Sequence, residues 1–219
     1  MFMWYEGLFE KLESMRDPEY AARMASYMRN QFPFLGIQAG PRREAYKRYL
    51  SKAKKEKIVD FDFVEKCFAK EEREFQYAAV DYLSEIKELL KPSDLPKLKR
   101  LIQMRSWWDT VDGMIKVVGS IVLRHPEMKP VMLEWSVDDN MWLRRIAILH
   151  QGLKEKTDTA LLAAIIENNL NRKEFFINKA IGWSLREYSK TNPVWVRGFI
   201  QAHKKDMANL SIREASKYI

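Results

Sequence analysis

The chain has 219 residues and a mass of 26.0 kDa, with 47% hydrophobic and 31% charged residues, which excludes a disordered chain and leaves enough length for a sizeable core. It has eight glycines, eight prolines and four threonines. Average usage would give roughly 15 Gly and 11 Pro, so a turn-rich sandwich or barrel is disfavoured and a nearly all-helical protein is expected. Lys and Arg total 38 against 30 Asp and Glu, a net charge of +8 and a pI near 9.4. That excess favours a polyanionic partner, with nucleic acid ahead of a membrane surface.

The opening stretch MFMWYEGLFEKLES carries Glu6 and Glu10 among its apolar residues. It lacks a basic start and a small-residue cleavage site, so it does not read as a signal peptide. No run of about 18 apolar residues follows, so no membrane span is expected. Arg23, Tyr27 and Asn30 form an i, i+4, i+7 line of polar and aromatic residues, read as a solvated face or as part of a binding face. Ser51 to Lys57, SKAKKEK, is the most polar stretch and is expected to be a loop between helices, solvated or touching phosphate. Cys67 is the only cysteine, which leaves no intramolecular disulfide and no cysteine zinc site. It reads as a small core residue, and the chain as one for a reducing, cytoplasmic compartment.

Four later segments resemble one another: REFQYAAVDYL (Arg73 to Leu83), SWWDTVDGMI (Ser106 to Ile115), MWLRRIAIL (Met141 to Leu149) and FFINKAIGWSL (Phe175 to Leu185). Each begins with an aromatic residue, Phe75, Trp107, Trp142 or Phe176, at successive gaps of 32, 35 and 34. Four residues on stands a small or branched apolar residue: Ala79, Val111, Ile146 or Ala180. The i, i+4 spacing places both on one helical face, and the period is that of a two-helix repeat. Such hairpins bury their faces only by stacking. The expectation is one domain over 1–219, an all-α HEAT-like helical-repeat solenoid of roughly twelve helices with a concave basic face, monomeric by default. Between the repeats, KPSDLP reads as a connector, and HPEM and NPVW place Pro at helix starts. Ser106 with Asp109, and Asn171 with Glu174, suggest helix N-caps.

His125, His150 and His203 are the only histidines, and no HExxH, GxGxxG, Walker or GxSxG pattern occurs. An enzyme built from this chain would rely on carboxylates, aromatics and arginines, without a metal or cofactor. Five residues after the lead aromatic, three repeats carry Val80, Ala147 and Ile181, whereas the second carries Asp112. A carboxylate in an apolar slot is costly unless paired or functional, although a structural hydrogen bonder or a shift of helix phase also fits. Trp108 lies one turn before it, as a core residue or as an indole that helps seat a cation beside the carboxylate. Lys179, Trp183 and Arg186 share a face at i, i+4, i+7, read as an amphipathic helix or a basic binding face. Arg144 and Arg145 are adjacent, so at most one points toward any one site.

Four strings, YMRNQFPFLGI (Tyr27 to Ile37), RSWWDTVD (Arg105 to Asp112), DNMWLRRIAIL (Asp139 to Leu149) and KEFFINKAIGWSLREYSKTNP (Lys173 to Pro193), together resemble the AlkD-type DNA alkylpurine glycosylases, HEAT-like repeat proteins. The resemblance runs from about residue 18 to the C-terminus. It implies excision of cationic N3- and N7-alkylated purines from double-stranded DNA. It puts the catalytic carboxylate on Asp112, the cleft tryptophans on Trp108 and Trp183, a tyrosine on Tyr27 and a cleft arginine on Arg145. Arg145, Tyr27, Lys179 and Arg186 are expected to hold backbone phosphates of the DNA. The competing expectation is a HEAT-like module that binds damaged or distorted DNA without chemistry.

Overall fold

A computed structural model describes residues 3–152 and 156–219 of the chain, and its regular structure is helical, with no strand among those residues. Thirteen α-helices are present among them, in two compact units, Met1–Leu90 and Lys91–Ile219. The division falls on the first residue of the KPSDLP connector, which forms a 3-10 turn at Pro92–Asp94.

The first unit holds α1 (Leu8–Glu13), α2 (Pro18–Tyr27), α3 (Ala39–Lys55), α4 (Phe61–Ala69) and α5 (Arg73–Glu85). Asp17 and Asp60 start α2 and α4 by accepting from the amides of Tyr20 and Phe63, both at 3.0 Å. Each such cap is worth about 1 kcal/mol. Leu8, Leu12, Phe63, Phe75 and Tyr82 form the core, with Cys67 fully buried beside them. The Cys67 thiol is pushed well up by burial, as befits an inert core residue. Glu74 is also fully buried, and its carboxylate accepts from the amides of Leu35, Gly36 and Ile37 at 2.9, 2.9 and 3.0 Å. It thereby fixes the loop after α2. Only glycine fits at 36, where φ is +95° and a Cβ would lie 2.1 Å from the Asp17 carbonyl oxygen.

The second unit holds α6 (Leu95–Gln103), α7 (Trp108–Arg124), α8 (Lys129–Ser136), α9 (Met141–Leu149), α10 (Thr159–Glu167), α11 (Phe175–Ser189), α12 (Pro193–His203) and α13 (Asn209–Ala215). Alternate helices pack in series: α7 on α9, α9 on α11, α11 on α13. Helices α6, α8 and α10 cover α9 from the other layer. This is an all-α helical-repeat fold. The lead aromatics Trp107, Trp142 and Phe176 meet edge-on or tilted, with ring centroids 5.1–5.8 Å apart, the geometry aromatic quadrupoles favour. Val111, Ile146 and Ala180, one turn on, are all buried. Helix α13 approaches α11 at Gly182, where a Cβ would come within 2.5 Å of the Glu214 Cβ.

Three local expectations are corrected. Ser51–Lys57 is not a loop: its residues to Lys55 are the last turns of α3, with Ala53 buried and Lys52, Lys54 and Lys55 at the helix end, where the macrodipole favours cations. Ser106 does not cap α7: its hydroxyl donates back to the Ile102 carbonyl at 2.6 Å, and Trp107 is the N-cap without a side-chain bond. Asn171 does not cap α11 either, because the helix begins four residues later with Glu174 as N-cap. The Pro expectations hold at α12, where Pro193 follows the capping Asn192, whose side chain accepts from the Trp195 amide at 3.1 Å. At HPEM, Pro126 opens a 3-10 turn.

Candidate active site

Helix α9 is enclosed almost all round: every residue from Trp142 to Ile148 is buried, Arg144 and Arg145 included. A buried guanidinium must be paired, since desolvation otherwise costs several kcal/mol. The two arginines point apart, as adjacency on a helix requires, and each finds its own carboxylate. Arg144 donates to Glu174 at 2.6 Å, at the start of α11. Burial pushes the Glu174 carboxyl up, but its own backbone amide and Arg144 outweigh this and hold it below the usual range.

Arg145, 2% exposed, reaches the odd carboxylate of the repeats. Its Nε donates to Asp112 Oδ1 at 2.7 Å and its Nη2 to Oδ2 at 2.8 Å. This is the parallel two-bond geometry that guanidinium and carboxylate form best. The remaining Nη1 donates to the Phe176 carbonyl at 2.7 Å. Three helices thus converge: α7 supplies Asp112, α9 the guanidinium and α11 the carbonyl. The Asp112 side chain keeps 24% of its surface exposed, so its charge remains accessible while its orientation is fixed. Trp108, the first residue of α7, is half-buried one turn before it.

On α11, Trp183 is surrounded by cations. Arg145 Cζ lies 5.3 Å, Lys179 Nζ 5.5 Å and Arg186 Cζ 5.9 Å from its ring centroid, within cation–π range. Lys179 also sits 5.4 Å from the exposed Phe175 ring. Arg186 Nη1 donates to Glu214 of α13 at 2.9 Å, and Lys217 donates to the same oxygen at 2.8 Å. Lys217, against the cost of burial and with Arg186 and Lys179 adding to it, holds the Glu214 carboxyl below its usual range.

Six of the seven site residues expected from sequence therefore lie on α7, α9 and α11, and Asp112, Arg145, Trp183, Lys179 and Arg186 are joined by the contacts above. Tyr27 belongs to the first unit, where it is 73% exposed at the end of α2 and lines a groove with Tyr20, Met24, Phe34 and Tyr77. The Arg23–Tyr27–Asn30 line breaks after Tyr27: Arg23 pairs with Glu19, and Asn30 lies beyond the helix with φ +54°. Sequence reasoning missed the Phe176 carbonyl, Glu174 and Glu214. A main-chain acceptor leaves no mark in a sequence. The two glutamates were findable only by asking which carboxylates balance the buried Arg144 and the half-buried Arg186. Among the described residues, no group of three His, Cys, Asp or Glu is placed to hold a metal, and no helix is long and apolar enough to cross a membrane.

No curated protein matches this chain. Among solved structures it is similar to a predicted DNA alkylation repair enzyme from Enterococcus faecalis, at 38% identity and a TM-score of 0.85, over 94% of this chain and 97% of that one. A family model for the DNA alkylation repair enzyme matches residues 8–219. With that match across nearly its whole length, the chain belongs to the DNA alkylation repair enzyme family, with a role in DNA repair.

Proposed function

We infer that the protein is a monofunctional DNA glycosylase that hydrolyses the N-glycosidic bond of cationic N3- and N7-alkylated purines in double-stranded DNA. The observation that carries this reading is the Asp112–Arg145 pair: a partly exposed carboxylate with both oxygens held, beside an indole, in a family of alkylation repair enzymes. An N3- or N7-alkylated purine already bears a positive charge, and it leaves as a neutral base. The reaction needs no general acid, which suits a site without histidine. Positive charge develops on the sugar, as in glycoside hydrolysis. Asp112 stabilises that charge and positions the attacking water.

Arg145 serves chiefly to orient Asp112, because its donors are engaged inside the protein. Trp108 and Trp183 pack on the deoxyribose and the cationic nucleotide. Lys179 and Arg186 hold backbone phosphates, and Tyr27 makes its own contact with the DNA from the first unit. The enzyme works as a monomer, as one HEAT-like domain, without metal or cofactor. A lone buried cysteine suits the reducing cytoplasm.

The test is base release from a duplex carrying 7-methylguanine at one position. Wild-type protein is expected to accelerate release well above the spontaneous rate. Tight, salt-sensitive DNA binding with no acceleration would overturn the glycosylase reading and favour a binding module.

A further inference from the structure

Three cations crowd one half-buried indole on α11: Arg145, Lys179 and Arg186 stand 5.3, 5.5 and 5.9 Å from the Trp183 ring centroid. Like charges this close repel one another, and long basic side chains swing out to water unless a counter-charge keeps them. Two carboxylates, from opposite neighbouring helices, keep them. Asp112 of α7 takes Arg145. Glu214 of α13 takes Arg186, whose Nη1 donates to its Oε2 at 2.9 Å, and attracts Lys179 across a longer distance.

Glu214 is itself firmly mounted. Its side chain is 9% exposed, and Lys217 donates to the same oxygen at 2.8 Å. One turn earlier on α13, the buried Ser211 hydroxyl donates to the Asn178 carbonyl of α11 at 2.8 Å. Gly182, the residue before Trp183, lets α13 in so close that a Cβ there would lie 2.5 Å from the Glu214 Cβ. A carboxylate this deep does not reach a substrate, so its effect passes through the cations it holds. The indole is only half-buried, so packing alone leaves its ring less constrained than a core side chain.

We propose that Glu214 is a positioning residue: by holding Arg186 and Lys179 beside Trp183, it fixes the indole against the Asp112–Arg145 pair. Arg186 keeps 21% of its side chain exposed, so the bond orients the guanidinium and leaves it able to meet a phosphate. The consequence for rate rests on the glycosylase reading, whereas the ordering of Trp183 in the free protein does not.

The experiment uses the full-length protein labelled with 5-fluorotryptophan, the Trp183 fluorine resonance being assigned by its loss in Trp183→Phe. Glu214→Gln keeps the size and one acceptor oxygen and removes the charge. It is expected to split or broaden the Trp183 resonance. At saturating protein it should slow single-turnover release of 7-methylguanine from methylated duplex by about tenfold or more, the scale of a misplaced group. Duplex affinity should stay within about threefold of wild type, which separates positioning from a loss of DNA contact. In an Arg186→Gln background the same change should slow release by less than about threefold, because the effect passes chiefly through Arg186. All proteins are compared where urea unfolding shows them folded, and Arg186→Gln breaks the same bond from α11 should Glu214→Gln not fold. A Trp183 resonance that stays single and narrow, an unchanged release rate, equal slowing with and without Arg186, or a loss of affinity matching the loss of rate would overturn the proposal. No release by the wild type would overturn the glycosylase reading instead, and the Trp183 resonance of the free protein would still decide whether Glu214 orders the indole.

Discussion

Replacing Asp112 by Asn should destabilise the second unit as well as reduce activity. Arg145 is 2% exposed and donates to both Asp112 oxygens, at 2.7 and 2.8 Å, with the Phe176 carbonyl as its third acceptor. An asparagine retains one acceptor and removes the charge. The loss is then one charge-assisted hydrogen bond plus a buried guanidinium without a counter-charge. Charge-assisted bonds contribute about 1.5–3 kcal/mol, and removing one partner of a buried pair costs about 3–5 kcal/mol. Because the Asp112 side chain is 24% exposed, a cost of about 2–4 kcal/mol is expected. For a chain of this length that corresponds to a fall in Tm of roughly 5–15 °C. Adding Arg145→Met should recover part of it, giving a favourable coupling of about 1–3 kcal/mol in a double-mutant cycle read by thermal and urea unfolding. A single variant that melts within about 1 °C of wild type, or two effects that simply add, would refute the claim that Arg145 depends on Asp112.

Acid stability should report on His150. Its Nδ1 bonds the Ala147 carbonyl at 2.6 Å, so that nitrogen carries the proton, and burial pushes the imidazole pKa from 6.5 down to about 4. The unfolded chain binds the extra proton first. Stability is therefore full above about pH 6.5 and falls toward pH 4 by about 3 kcal/mol, and His150→Leu should flatten that limb of the urea-unfolding profile. An unchanged slope in the variant would remove His150 from the account. Lys179→Gln should weaken DNA binding alike for every sequence and reduce the slope of log K against log salt by about 0.9, as measured by anisotropy titrations. An unaltered slope would mean that Lys179 touches no phosphate.

The repeat helices were legible because their signal is short-range and redundant. An aromatic and a small apolar residue four apart, recurring in the sequence, mark α5, α7, α9 and α11, and MWLRRIAIL matches α9 residue for residue. Asp112 was visible for the same reason, as the polar exception in an apolar slot. The caps were misread because Ser106 offers its hydroxyl equally to the carbonyl of the preceding helix, and that bond prevails. Ser51–Lys57 looked like a loop because nearly all of it is polar, yet a helix end needs only Ala53 to face the core. The partners of Arg144, Arg145 and Arg186 were not legible, since Glu174, the Phe176 carbonyl and Glu214 meet them only after α9, α11 and α13 have packed. The sequence limited Arg144 and Arg145 to one site residue at most, but which one reaches Asp112 depends on the rotation of α9 against α7.

The central claim is that Asp112 performs the chemistry, and it is tested most directly by single-turnover release of 7-methylguanine and 3-methyladenine from methylated duplex DNA. Wild type and Asp112→Asn should be compared at a temperature where urea unfolding shows both to be folded. Loss of about 100-fold or more in the release rate, with duplex affinity little changed, is the predicted result. Equal release by the two proteins would contradict the account and leave Asp112 as the structural partner of Arg145 alone.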